Sequence, residues 1–257
     1  VQISFKIVCN ESSLLSGYKF SFYPSDTIIG NPIAAGLYEP YESRLFLDAI
    51  GKHSTVFDVG ANIGYYTLLA SKKALSGKIV AFEPNQKNYL LLEKNIRDND
   101  IRNANIWRVA VSYQVGEAKL YLSKENQGDH QLYFSEGRES EVVMTTTIDA
   151  FVALHEVKPD VVKIDTQGFD YYVLLGMKKL LEESKDITLF TEFWDYGNQL
   201  SGVKSEEYFK LLLSHFRIVE FIDEAKQSTY PVDFQFVMDE CKKYNGYLHV
   251  NLLCKKK

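Results

Sequence analysis

The 257-residue chain has little cysteine, little proline and no apolar run that approaches the ~20 residues of a membrane span. Cys9, Cys241 and Cys254 are odd in number, far apart and without CxxC or Cys/His spacing, so neither a disulfide framework nor a structural zinc site is indicated. Three reduced, packed thiols are expected instead. An excess of basic charge is also missing, since 29 Lys and Arg face 34 Asp and Glu for a net charge of -5. The one dense basic run is the terminal Lys255–Lys257, which suits a solvated tail better than a stripe for a phosphate backbone. Nucleic acid is therefore not an expected partner. The opening VQISFKIVCN has no long apolar core behind a basic start, so no secretory leader is read there, and a soluble cytoplasmic chain is expected. A first residue of Val1 rather than Met is compatible with a longer parent chain.

What is there is the composition of a packed globule, 46% hydrophobic and 25% charged, at a length that suits one large α/β domain with a modest extension. Residues 1–50 are read as that extension: ISFKIV and YKFSFYP alternate like two short strands, and YEPYESRLFLDAI has Leu45, Phe46, Ala49 and Ile50 at helical spacing. Residues 51–257 are read as the main domain. Strand-like VFDVG, KIVAFEP, ANIWRVAVS, DVVKID and ITLFTEFW alternate with helix-like NIGYYTLLASKKAL, QKNYLLLEKNIRDN, FDYYVLLGMKKLLEE and SEEYFKLLLSHF. GEAKLYLS and EVVMTTTID read as further strands around a polar loop, and RIVEFID and YLHVNLLC as an antiparallel final pair. Such alternation predicts right-handed crossovers and a mostly parallel sheet covered on both faces.

The turn in VFDVGANIGYYT sits beyond the carboxyl end of the first such strand, where a doubly wound sheet binds its ligand. Gly60 permits close backbone approach, Gly64 permits close helix packing, and Glu83 ends the next strand where a carboxylate can accept both hydrogens of a ribose diol. The spacing G-A-N-I-G is not the three-glycine pyrophosphate fingerprint. Asn62 in its middle would crowd a pyrophosphate, and Asp58 before it would repel one but attract a cation. A ligand with a sulfonium or ammonium charge, a carboxylate and a ribose fits better, and S-adenosylmethionine is such a ligand.

FDVGANIGYYT, AFEPN with the following NY and NI, AVS and VVKIDTQGFDYYVLLGM resemble, in that order, the FkbM family of S-adenosylmethionine-dependent methyltransferases, over roughly Leu37 to Phe193. The resemblance implies a Rossmann-like class I methyltransferase fold with a seven-stranded, mostly parallel sheet. It also implies that Asp58, Gly60, Asn62 and Gly64 shape the cofactor site and that Glu83 binds the ribose. Glu39 and Glu42 precede this region and are placed at the cofactor's amino-acid end. Many relatives carry an acid where this chain has Gln167.

Methyl transfer from a sulfonium needs an aligned acceptor oxygen and a group to take its proton. Candidates should lie on loops after the strands. Asp165 closes VVKID, with Lys163 two residues earlier as a natural ion-pair partner; Glu192 closes ITLFTE beside Phe193 and Trp194; His130 and Asp129 lie on the loop ENQGDHQ. His53, His155, His215 and His249 read as structural. No spacing calls for a metal, although Asp165 and Glu192 are two carboxylates that could hold magnesium. The segment TYPVDFQFVMDECKKY is open to two readings, a lid or packing at the sheet edge. The expected function is O-methylation of a sugar or small-molecule hydroxyl. The alternatives are a nicotinamide-dependent dehydrogenase and a non-catalytic S-adenosylmethionine-binding module.

Overall fold

The computed structural model describes residues 5–9, 13–23, 26, 28–124, 126–243 and 248–256. Of the segments read above, Val1, Gln2, Ile3, Ser4, Asn10, Pro24, Glu125, Tyr244, Tyr247 and Lys257 lie outside the described residues. The chain opens with the expected antiparallel pair, β1 (Phe5–Val8) and β2 (Lys19–Phe22), followed by α1 (Gly30–Ala35) and α2 (Pro40–Ala49). Then β3 (Thr55–Val59), α3 (Tyr65–Lys73), β4 (Lys78–Phe82), α4 (Gln86–Asp98) and β5 (Ala104–Trp107) build one half of the main sheet. In α3 every residue from Tyr65 to Ser71 is buried. A helix that is apolar all round needs cover on both sides, and Leu15, Phe20 and Phe46 of the N-terminal elements share one core cluster with Leu68 and Leu69.

ANIWRVAVS does not form one strand. It splits into β5 and β6 (Ala110–Val111), and β6 pairs with β8 (Glu139–Thr146), which pairs in turn with β7 (Gly116–Leu122) in a separate three-stranded sheet. Thr147 then caps α5 (Ile148–His155), accepting the Ala150 N–H at 2.9 Å. After β9 (Val161–Ile164) the predicted single helix breaks into α6 (Asp170–Leu175) and α7 (Lys178–Glu183). The break falls at Gly176, where a Cβ would lie 2.1 Å from the Ser112 carbonyl, so the turn between the two helices packs directly on the backbone at Ser112.

The second half comprises β10 (Thr188–Phe193), α8 (Asp195–Leu200), α9 (Ser205–His215), β11 (Ile218–Asp223), β12 (Ser228–Pro231), α10 (Phe234–Lys242) and β13 (Val250–Lys255). The main sheet has the order β12-β11-β13-β10-β9-β3-β4-β5, parallel from β10 to β5. It is the expected Rossmann-like sheet with one strand more than predicted. The antiparallel pair β11–β13 is present, but β13 inserts between β10 and β11, and the edge falls to β12. Between the two readings of 229–244 the structure decides for packing, since Val237 and Cys241 on α10 are fully buried against the core. All three cysteines are free and buried.

Candidate functional site

The carboxyl ends of β3, β4, β9 and β10 open into a cleft with two chambers. Gly60, Asn62, Gly128, Asp165 and Gln167 line both. The first is bounded by Glu83, Asn88, Val111 and His130. The second, the roomier of the two, is bounded by Tyr38, Glu39, Asp58, Lys163, Glu192 and His249.

Backbone conformation makes the junction. Gly60 has φ 82°, and a Cβ there would lie 2.0 Å from the Asp165 carbonyl, so the turns after β3 and β9 touch. Asn62 also takes a left-handed φ of 50°, which asparagine tolerates better than most side chains. Gly64, with φ 100°, works differently: a Cβ would lie 2.6 Å from Leu92 of α4, and the residue is not among those that line the cleft. Its role is packing.

Glu83 is 5% exposed and accepts the N–H groups of Asn62 and Asn85 at 2.9 and 2.8 Å. Burial pushes its carboxyl up to about 8, against the lowering effect of those two N–H donors. Asp58 accepts the Thr67 hydroxyl at 2.5 Å and is pushed up to about 6, again by burial. Tyr66 donates its hydroxyl to Glu39 at 2.7 Å, and burial, then the nearby Glu42 charge, raises Glu39 to about 8.

Lys163 and Glu42 correct the sequence reading. Lys163 is 1% exposed, and its ion pair, at 3.0 Å, is with Glu42 rather than Asp165. Burial works against the ammonium, but the charges of Glu42, Asp165 and Glu39 outweigh it and hold the lysine protonated. Glu42 is 0% exposed, also accepts the Asn251 amide, and is not among the residues lining either chamber. It supports the wall from behind, and Glu39 is the acid of that segment that faces the cleft.

Two histidines sit in contrasting surroundings. His130 accepts the Ser123 N–H at Nδ1, 3.1 Å away, so its own hydrogen resides on Nε2, which is buried without a partner among the described residues. Burial lowers its pKa to about 4. It lines the first chamber with Nε2 as a hydrogen-bond donor. Asp129 is tied to Arg138 at 2.5 Å. His249, read as structural, instead faces the second chamber. Its Nδ1 lies 2.5 Å from Glu192 Oε1, and the Trp194 ring stacks on it at 4.4 Å. Burial pulls the imidazole down, but the charges of Glu192, Asp165 and Asp129 and the Glu192 hydrogen bond raise it to about 9. Because β13 runs antiparallel, its beginning rather than its end reaches the cleft, which explains why His249 arrives there. Asp165 accepts the Gln167 amide at 2.7 Å, so Gln167 clamps this carboxylate where an acid would repel it.

The chain fits the expected S-adenosylmethionine on several independent grounds. Asn62 Oδ1, Asn88 Oδ1 and His130 Nε2 are buried, without partners among the described residues, and belong to residues lining the first chamber. The Glu83 oxygens each accept one N–H and keep a second lone pair for a diol. Among the described residues no group of three or more His, Cys, Asp or Glu is placed to hold a metal, and no helix is long and apolar enough to cross a membrane.

Residues 58–244 match the family described as the methyltransferase FkbM domain. The chain is 33% identical over 141 residues to the hexuronic acid methyltransferase AglP of Haloferax volcanii. That match covers 54% of this chain and 56% of the relative, so the chain spans about half the length of the curated relative it matches. Among solved structures, a putative rRNA methylase from Clostridium thermocellum aligns with a TM-score of 0.50 at 11% identity, covering 84% of this chain and 95% of that one. A SAM-dependent O-methyltransferase from Thermotoga maritima aligns at 0.46 and 14% identity over 85% of this chain and 64% of that one. At such identities the likeness concerns the fold alone.

Proposed function

The chain belongs to the FkbM family of methyltransferases, with S-adenosylmethionine as methyl donor, and on that premise we propose that it methylates a hydroxyl oxygen of a sugar, free or within a glycan. The first chamber holds the adenosine half: Glu83 accepts the ribose diol, His130 donates from Nε2 to a ring nitrogen, and Asn62 and Asn88 offer their unpartnered amide oxygens. Asp58 and Glu39 lie where a carboxylate can meet the cofactor's ammonium. When bound there, S-adenosylmethionine supplies an electrophilic methyl group on a sulfonium. The protein's share of the reaction is to orient the acceptor, exclude water and receive a proton.

The observation that carries the acceptor reading is the second chamber's wall. Tyr38, Glu39, Glu192, His249 and Asn251 present hydrogen-bonding groups, which suit a polyhydroxy compound rather than an aliphatic one. The relative named for a hexuronic acid supports the same class. Tyr38 and Glu39 come from residues 1–50, so we read that segment as an extension of the 51–257 methyltransferase domain that completes the acceptor side.

Calorimetry with S-adenosylmethionine and S-adenosylhomocysteine, followed by transfer of a labelled methyl group to a panel of hexosides, hexuronates and hexosamines, tests this. Expected are micromolar binding and a product whose methyl resonance correlates with a ring carbon through oxygen. Tight cofactor binding with no acceptor across the panel would favour the non-catalytic module.

A further inference from the structure

We propose that His249, oriented by Glu192, is the catalytic base that takes the proton from the acceptor hydroxyl. The inference rests on the oxygen-transfer reading above. Glu192 ends β10 and His249 immediately precedes β13, and the antiparallel register of those strands sets Glu192 opposite Asn251 and Phe193 opposite Val250. The two side chains therefore meet at the cleft end of adjacent strands, on the rigid part of the scaffold. The 2.5 Å contact commits Nδ1 to Glu192 Oε1. Nε2 is then the ring nitrogen left to exchange a proton with a ligand. Trp194, stacked at 4.4 Å and 23°, fixes the ring plane.

A second observation points to a ligand. Glu192 is only 7% exposed and lines the second chamber, yet its Oε2 has no hydrogen-bond partner among the described residues. A buried, unpaired carboxylate oxygen is costly unless something arrives to donate to it. A second hydroxyl of a polyhydroxy acceptor would do so.

The step balances within the site. The acceptor O–H proton passes to Nε2 as the oxygen's electron pair forms the O–CH₃ bond. The C–S bond breaks with its electrons staying on sulfur, so the neutral thioether leaves. The imidazolium returns its proton to water across its exposed side, the side chain being 35% exposed. The strongest charge influences on the imidazole come from Glu192 of β10, Asp165 in the turn after β9 and Asp129 in the loop beyond β7, three carboxylates that favour the protonated ring, while Glu39, Lys163 and Glu224 line the same chamber. The rate should therefore climb with pH up to about 9, where half of the imidazole is neutral, and level off above it.

The test uses the whole chain with S-adenosylhomocysteine bound and imidazole-labelled histidines, His249 being assigned by its loss in His249→Gln. Nuclear magnetic resonance should show His249 titrating above the other histidines and falling to the ordinary range in Glu192→Gln. A His249 that titrates normally, or ignores Glu192→Gln, overturns the proposal whether or not an acceptor is known. With an acceptor from the panel, His249→Gln should lower kcat by about 100-fold or more while S-adenosylhomocysteine affinity stays within about twofold, and Glu192→Gln should move the rising limb of the pH profile downward. Full kcat in His249→Gln also overturns it. If no acceptor is found but the titration is as expected, the oxygen-transfer reading has failed, and the base assignment falls with it.

Discussion

Gly60 and the Asp165 carbonyl are in such close approach that a Cβ on residue 60 would lie 2.0 Å from that oxygen. This contact joins the turn after β3 to the turn after β9 and sets the passage between the two chambers. Gly60 also donates its N–H to the Phe82 carbonyl at 3.0 Å, so the turn is held from both neighbouring strands.

Gly60→Ala should therefore damage the cleft more than an ordinary glycine substitution. At φ 82° an alanine is strained by about 1–2 kcal/mol, and the clash is with backbone, which cannot rotate away. A lowered Tm and at least tenfold weaker S-adenosylhomocysteine binding in calorimetry are expected. Unchanged affinity would mean the two turns can part freely.

Glu83 should make cofactor affinity and apo-protein stability depend on pH in opposite senses. Its carboxyl sits at about 8 when folded against 4.5 for an ordinary glutamate, because burial opposes the charge. Its stabilising contribution is thus present below about 4.5 and is lost as pH rises toward 8, the unfolded chain giving up its proton first. Ribose hydroxyls donate best to the ionised form, so affinity should rise over the same interval. Glu83→Gln should flatten both dependences and weaken binding by roughly tenfold, the worth of a hydrogen bond to a charged group. Thermal melts and titrations at pH 5, 6, 7 and 8 decide it; a pH-independent wild type would place the ribose elsewhere.

The parts of this architecture that were legible from sequence are those with local signals. Val56 to Tyr66 carries its strand, turn and helix in consecutive residues, and Glu83 follows a strand stopped by Pro84. What escaped depends on contacts distant in sequence. Gly176, at the break between α6 and α7, packs on the Ser112 backbone, and Glu42 is drawn to Lys163 across 121 residues, the separation of those two positions in the chain. His249 belongs to the same class: the last strand was expected in an edge pair, and its pairing with β10 brings its first residues to the cleft. His130 lies on the loop expected for it, and its tautomer follows from a single backbone N–H of Ser123, a contact with no signal in the sequence. Gln167 was seen as a departure from the family pattern, while its partner Asp165, two residues away, gives that departure its purpose.

The Lys163–Glu42 pair provides the sharpest stability test, because both side chains are almost wholly removed from water, at 2% and 0% exposure. Removing one partner leaves the other charge buried. Lys163→Met should cost about 3–5 kcal/mol in urea unfolding, since Glu42 then keeps only the Asn251 amide as a side-chain donor. The double variant Lys163→Met with Glu42→Leu should recover most of that loss, because a buried ion pair and an apolar pair of similar volume are often close in stability. The two outcomes separate structure from function. If the double variant is stable yet binds S-adenosylmethionine poorly, the Lys163 charge serves the second chamber's electrostatics as well as its wall. If it is stable and binds normally, the pair is a brace behind Glu39 and Asp165. If it stays as unstable as the single variant, Asn251 and Glu224, the latter accepting the Tyr41 and Glu42 N–H groups at 3.0 and 2.6 Å, are coupled to the pair more tightly than a two-residue brace allows.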